Sequence, residues 1–188
     1  MSAPPPDDIT RWLREWRAGD AEAERRLLAA TYDELKRLAS AQLRGERTGH
    51  TLQPTALVHE AYARMVGLEL QFADRVHYLS MAARCMRRVL VDHARRRNAD
   101  KRGSGAVQVT LDGVLAGDAP RELELVDLDR ALERLESEHP DAARVVELHY
   151  FAGLSQAEVG EATGTSESTA YRNLRFARAW LRNALAEG

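Results

Sequence analysis

Apolar residues recur along this chain at the three- and four-residue spacing of a helix face, and the alternation a half-buried strand needs is nearly absent. In "DDITRWLREW" Ile9, Trp12, Leu13 and Trp16 fall at i, i+3, i+4 and i+7 behind an aspartate able to cap. A second helix is predicted from near Asp20, with Leu27, Leu28, Leu35, Leu38 and Leu43 on one side. "RGERTGHTLQ" interrupts the repeat, and Pro54 then suits the first turn of a third helix, where a missing N–H is no loss. That helix carries Leu57, Val58, Ala61, Tyr62, Met65 and Val66 and ends near Gly67. A fourth runs from about Val76 to Arg97, with Tyr78, Leu79, Ala82, Ala83, Met86, Val89, Leu90 and His93 as its inward stripe.

"KRGSGAVQVTLDGVLAGDAPRE" has no helical repeat and reads as an irregular linker, "VQVTL" included. Beyond it Leu125, Leu128, Ala131, Leu132 and Leu135 mark a further helix, Pro140 opens the next, and Gly153 breaks the pattern. In "LSQAEVGEATGTSESTAYRNLRFARAWLRNAL" Ser155 and Glu158 have capping-box spacing, Gly164 suits a left-handed turn, and Ser166 can cap a helix reaching about Ala184. The expected fold is all-α: two small helical domains, 1–100 and 123–188, joined by an irregular linker over 101–122, the second ending in a helix-turn-helix.

Composition adds limits. At 188 residues with 44% hydrophobic and 30% charged residues, the chain can bury a core and suits a soluble helical protein. A single cysteine, Cys85, excludes an internal disulfide. "MSAPPPDDIT" lacks the basic and apolar regions of a secretory signal, and no apolar run approaches a membrane span. A cytoplasmic protein without membrane insertion is expected.

Charge changes the picture more. The formal net charge is only −2, yet it is segregated. Residues 84–102, "RCMRRVLVDHARRRNADKR", set Arg84, Arg87, Arg88, Arg95, Arg96, Arg97, Lys101 and Arg102 against Asp92 and Asp100 alone. Between Asp112 and Glu147 acidic residues dominate, and a second basic stretch spans Arg172 to Arg182. The acidic stretch 123–147 reads as a solubilising surface over the helices there; for the linker itself the alternatives stay open, that it lies in a basic RNA-exit path or holds the two basic regions together. A short capped helix, a Gly turn and a longer helix bearing Tyr171, Arg172, Arg175, Arg178 and Arg182 form an architecture that enters a DNA major groove. Arginine can bond guanine O6 and N7 together, and hydroxyls at a helix start can hold phosphates.

Enzyme readings fare badly. "HEAYA" begins like a zinc-protease motif, but its second histidine would fall at Ala63. The histidines at 50, 59, 77, 93, 139 and 149 show no metal-ligand spacing, and "GSG" at 103–105 lacks the context of a dinucleotide site. No catalytic residue, metal or cofactor is expected. The stronger rival is a stand-alone helix-turn-helix transcriptional regulator, which leaves the basic fourth helix without a task. A helical-hairpin interaction adaptor leaves both arginine faces unexplained.

With both halves in view, the sequence resembles the extracytoplasmic-function (group IV) sigma factors of bacterial RNA polymerase, which keep sigma domains two and four. "TALVHEAYARMV" looks like the family's region 2.2, "RVHYLSMAARCMRRVLVDHARRR" like regions 2.3 and 2.4, and "LSQAEVGEATGTSESTAYRNLRFARAWL" like region 4.2. The resemblance implies binding to core RNA polymerase, through the β′ clamp helices and the β flap, and delivery of the enzyme to promoter DNA. It places Leu57, Val58, His59, Glu60, Tyr62 and Arg64 on the clamp-docking helix; Leu57, Val58 and Met65 read equally as core. It places Arg84, Arg87, Arg88, Arg95, Arg96 and Arg97 at the −10 element. There "ELQFADR" would contribute to a base pocket, with Phe72, His77 and Tyr78 as stacking candidates that read equally as inward packing.

In the second domain the resemblance gives Ser166, Ser168 and Thr169 to phosphate contact and Tyr171, Arg172 and Arg175 to reading the −35 element. Many members carry Asn where this chain has Arg84–Cys85, and commonly a basic residue where it has Tyr171 and Asn173. The promoter sequence is therefore not carried over. An anti-sigma factor or another regulator is a further partner that the resemblance allows.

Overall fold

The computed structural model describes residues 6–43, 52–66, 74–100, 108–109 and 123–186. Among them the chain is all-α apart from one two-residue ladder. Helices α1 (Pro6–Arg17), α2 (Ala21–Leu43), α3 (Pro54–Val66) and α4 (Arg75–Asp100) come first. Strands β1 (Gln108–Val109) and β2 (Leu123–Glu124) pair antiparallel, Gln108 opposite Glu124. Then follow α5 (Leu125–Glu138), α6 (Pro140–Val146), a π-helical turn over Glu147–Phe151, α7 (Gln156–Thr163) and α8 (Glu167–Ala184). The ladder corrects the expectation that "VQVTL" is irregular throughout: Gln108 and Val109 find backbone partners in the residues just before α5.

Local chemistry accounts for the helix ends. Asp20 Oδ1 accepts the backbone N–H groups of Glu22 and Ala23, at 2.8 and 3.2 Å, at the start of α2. Asp74 Oδ1 does the same for His77 at the start of α4, at 2.8 Å. Pro54 and Pro140 each occupy the first turn of a helix.

The apolar stripes close into two clusters. The first joins Ile9 and Leu13 of α1, Leu27, Leu35 and Leu38 of α2, Leu57, Val58, Ala61 and Met65 of α3, and the inward face of α4. Tyr78 lies at its centre, fully buried, with its hydroxyl 3.4 Å from Thr31 Oγ1, so it packs inward and is not presented for stacking. The second cluster joins Leu128, Leu132 and Leu135 of α5, Val145 and Val146 of α6, Phe151, Val159 of α7, and Ala170, Leu174, Ala177 and Leu181 of α8.

The clusters are not separate. Leu125, the first residue of α5, packs into the first, whereas Ala83 of α4 packs into the second with Val76 against it. Gln42 of α2 adds a 3.0 Å bond from its side-chain amide to the Ala83 carbonyl. Helix α4 therefore has two buried faces, one row at 78, 82, 86 and 89 and another at 76, 83 and 87.

Gly160 lets α7 approach the start of α8. A Cβ there would lie 3.0 Å from the Thr165 carbonyl oxygen and 3.1 Å from the Glu167 nitrogen, both backbone atoms with little room to yield. Gly160→Ala should destabilise the second cluster by roughly 1–3 kcal/mol, the usual range for overpacking. Chemical denaturation monitored by circular dichroism checks this.

Candidate nucleic-acid interface

The segment from α7 to α8 is held by reciprocal capping. Ser155 Oγ accepts the Glu158 backbone N–H, and the Glu158 carboxylate accepts the Ser155 N–H at 2.8 Å and its hydroxyl at 2.7 Å. These bonds hold the Glu158 carboxyl below its ordinary range. Helix α7 ends at Gly164, whose φ of 66° is the left-handed conformation that glycine adopts without steric penalty. Ser166 then caps α8 through the Thr169 N–H at 3.2 Å.

On the exposed side of α8, hydroxyls and a guanidinium form one hydrogen-bonded row. Ser166 Oγ lies 3.0 Å from Thr169 Oγ1, which accepts from Arg172 at 3.2 Å. Ser168, Tyr171, Arg172 and Arg175 are exposed, and Arg175 lies over the Tyr171 ring at 5.9 Å. Tyr171 is one of the few large apolar side chains left open, at 44%. Hydroxyls and the free N–H groups of a helix start favour phosphate, and a forked cation one turn further favours a base edge. By contrast, the Arg178 guanidinium bonds the Tyr150 hydroxyl and lies over its ring, tying α8 to the π-helical turn.

The arginines of α4 divide into two groups. Arg88, Arg95 and Arg96 are exposed; the side chain of Arg97 lies outside the described residues, as do Phe72 and most of "ELQFADR". Arg87 is instead buried against the second cluster, and Arg84 is half-buried beside it. Arg84 Nη2 donates to Glu147 Oε2 and to Glu136 Oε1, both at 2.9 Å, and its Nε meets Glu147 Oε1. Arg87 is 7% exposed, with its Nε 3.3 Å from Asp129 Oδ1 and its guanidinium 5.2 Å from the Phe151 ring centroid. Burial pushes the Arg87 guanidinium down and the Asp129 carboxyl up, because each loses more hydration than the other restores.

The acidic stretch is thus not wholly a solvated surface. Asp129 and Glu147 are 4% and 6% exposed. Their burial had a sequence signal: Asp129 falls in the row 125, 129, 132, 136, at the helical spacing of the leucines around it. Only the packing of α4 reveals that this row meets arginine rather than water.

On α3, Leu57, Val58 and Met65 belong to the first core, and outward placement falls to its other residues. His59 is exposed. Glu60 lies 3.2 Å from His93 Nε2, and Arg64 bonds Asp92 at 2.8 Å, both pinning α3 to α4. Tyr62 stacks on Trp16 and donates to Glu24 at 2.7 Å; burial and that carboxylate push its hydroxyl far up. His77, half-buried near Arg144, has its imidazole pushed down by burial first and by that cation second.

Helix order, capped helix-turn-helix and arginine-bearing α4 all agree with the resemblance drawn from the residues. The family model for ECF sigma factors matches residues 6–187. The chain belongs to that family. This sigma factor accordingly serves transcription initiation as a DNA-binding protein, in a family of non-enzymatic transcription factors. No curated protein matches it in sequence. Among the described residues of the sigma factor no helix is long and apolar enough to cross a membrane.

The capping box of the sigma factor has a definite pH signature. A carboxyl held below its ordinary range contributes stability that is full above that range and is lost as pH falls through the lowered value. Glu158→Gln should be less stable than the parent near neutrality, and the gap should close on acidification from about pH 7 to about pH 3. Urea unfolding of both proteins across that range is the measurement.

Proposed function

We propose that this ECF sigma factor binds core RNA polymerase and directs it to promoters by reading two DNA elements with two sigma domains, residues 1–100 and 123–188, joined by 101–122. In this reading Ser166, Ser168 and Thr169 hold the backbone of the −35 element, and Tyr171, Arg172 and Arg175 reach its bases. Arg84, Arg87, Arg88, Arg95, Arg96 and Arg97 serve the −10 element, where melted DNA needs a cationic surface. On α3, His59, Glu60, Tyr62 and Arg64 meet the β′ clamp helices, and the second domain meets the β flap.

The single observation that carries the proposal is the exposed row Ser166–Thr169–Arg172 at the start of a capped α8. It supports the reading because hydroxyls and a guanidinium lie together at the start of an element of 18 residues. Either domain alone offers few phosphate contacts, so each alone binds weakly, and holding both on polymerase raises their effective concentration. The cytoplasm is where polymerase and promoter are met. An anti-sigma factor or another regulator would act on these same surfaces.

Transcription by core polymerase on a pool of random promoter fragments, with and without the chain, tests the reading. Chain-dependent start sites sharing two spaced elements are expected. Loss of one bidentate base contact in Arg172→Ala should relax the upstream element by about 1–3 kcal/mol of discrimination. Arg88→Ala with Arg95→Ala should slow open-complex formation with little change in the sequences chosen. No chain-dependent transcription and no co-elution with core would favour a stand-alone regulator reading duplex DNA.

A further inference from the structure

The arginines of α8 are not held alike. Arg178 is drawn back onto Tyr150, where it serves the fold. Arg172 and Arg175 stay exposed, yet each has a partner one turn earlier on the same helix. Arg172 Nη2 donates to Thr169 Oγ1 at 3.2 Å, and that hydroxyl lies 3.0 Å from the Ser166 Oγ that caps the helix. The Arg175 guanidinium lies over the Tyr171 ring, 5.9 Å from its centroid. We propose that Thr169 and Tyr171 are positioning residues: beyond any contact of their own with DNA, they set the conformations of Arg172 and Arg175, and thereby the base preference of α8.

Both restraints follow from helical spacing. Residues three and four apart share a face, so 169 meets 172 and 171 meets 175. A base edge accepts the arginine fork in only a few of its many conformations, and a side chain already held near one of them loses less freedom on binding. The two partners suit a guanidinium for different reasons. The Thr169 oxygen accepts from one N–H and leaves the rest of the Arg172 fork open. The Tyr171 ring attracts the cation through its face and consumes no donor, so Arg175 keeps its N–H groups for a base. A lysine or arginine at 171 would do the opposite, repelling Arg175 one turn on.

The backbone beneath these pairs is fixed. Ala170 and Leu174 are buried in the second cluster, and Ser166 anchors the first turn through the Thr169 N–H. Thr169 and Tyr171 flank Ala170, so the core sets the direction of both restraints.

The inference rests on the reading that α8 meets the bases of the −35 element, and its test separates the two. Sequences selected by core-dependent transcription from a promoter pool are compared for the parent and its variants. Arg172→Ala and Arg175→Ala first identify the base pair that each arginine reads. Thr169→Val, which keeps the shape and removes the hydroxyl, should lower the preference at the Arg172 base pair by about two- to tenfold. Tyr171→Leu should lower the preference at the Arg175 base pair by about two- to fivefold. Thr169→Ser and Tyr171→Phe should keep the parent's preferences. Thr169→Val combined with Arg172→Ala, and Tyr171→Leu combined with Arg175→Ala, should be no more relaxed than the arginine variants alone. In the free chain the Arg175 Cδ protons should show an upfield ring-current shift that Tyr171→Leu abolishes and Tyr171→Phe retains.

Uniform weakening by Thr169→Val, with no change at the Arg172 base pair, would make Thr169 a phosphate holder alone and overturn its positioning role. For Tyr171, effects that multiply with Arg175→Ala, or an unchanged Arg175 base pair in Tyr171→Leu, would do the same. Either failure leaves the −35 reading intact, because the arginine variants still relax their own base pairs. Arginine variants with the parent's preferences would instead remove the base reading itself, and the inference with it.

Discussion

The grip of Glu147 and Glu136 on Arg84 is the interaction that the arrangement of the two halves depends on. One guanidinium meets carboxylates from α5 and from the π-helical turn, so α4 is tied to both at once. One helical turn further along α4, Arg87 enters the same seam beside Asp129 and Phe151. Apolar contact between the clusters includes Leu125 and Val126 packed into the first, and Ala83 and Val76 packed into the second.

This choice of interaction has a physical consequence. An apolar seam would make one large core and a rigid molecule, because packed interiors do not open at small cost. An ionic seam with one unsatisfied guanidinium nitrogen holds by a narrower margin and responds to competing polyanions. The same two arginines are those the family resemblance assigns to DNA.

Much of this protein was legible before any coordinates. The stripe Ile9, Trp12, Leu13, Trp16 gave α1, Pro54 and Pro140 marked helix starts, and Ser155, Glu158, Gly164 and Ser166 took the capping roles their spacing suggested. These features are local: a cap or a stripe is satisfied within one or two turns, so composition and spacing suffice. The α8 hydroxyls and Arg172 were legible for the same reason. Less visible were the small ladder at Gln108–Val109, whose partner lies beyond a linker, and Gly160, whose role depends on how closely α8 starts beside it. The fates of individual arginines were not visible. Arg84, Arg87 and Arg88 read alike in sequence, yet the first is half-buried in ion pairs, the second buried and the third open.

The sequence by itself determined most of the helices, their order, the caps of α7 and α8 and the helix-turn-helix, because each follows from side-chain period or near-neighbour hydrogen bonding; the family came from the resemblance of whole segments. Tertiary structure alone decided which charges face water and which face one another. Carboxylates 42 to 63 residues from their guanidinium partners have no spacing rule to announce them. A charged side chain is read as solvated until packing supplies its counter-ion, and for Asp129 and Glu147 packing supplied α4.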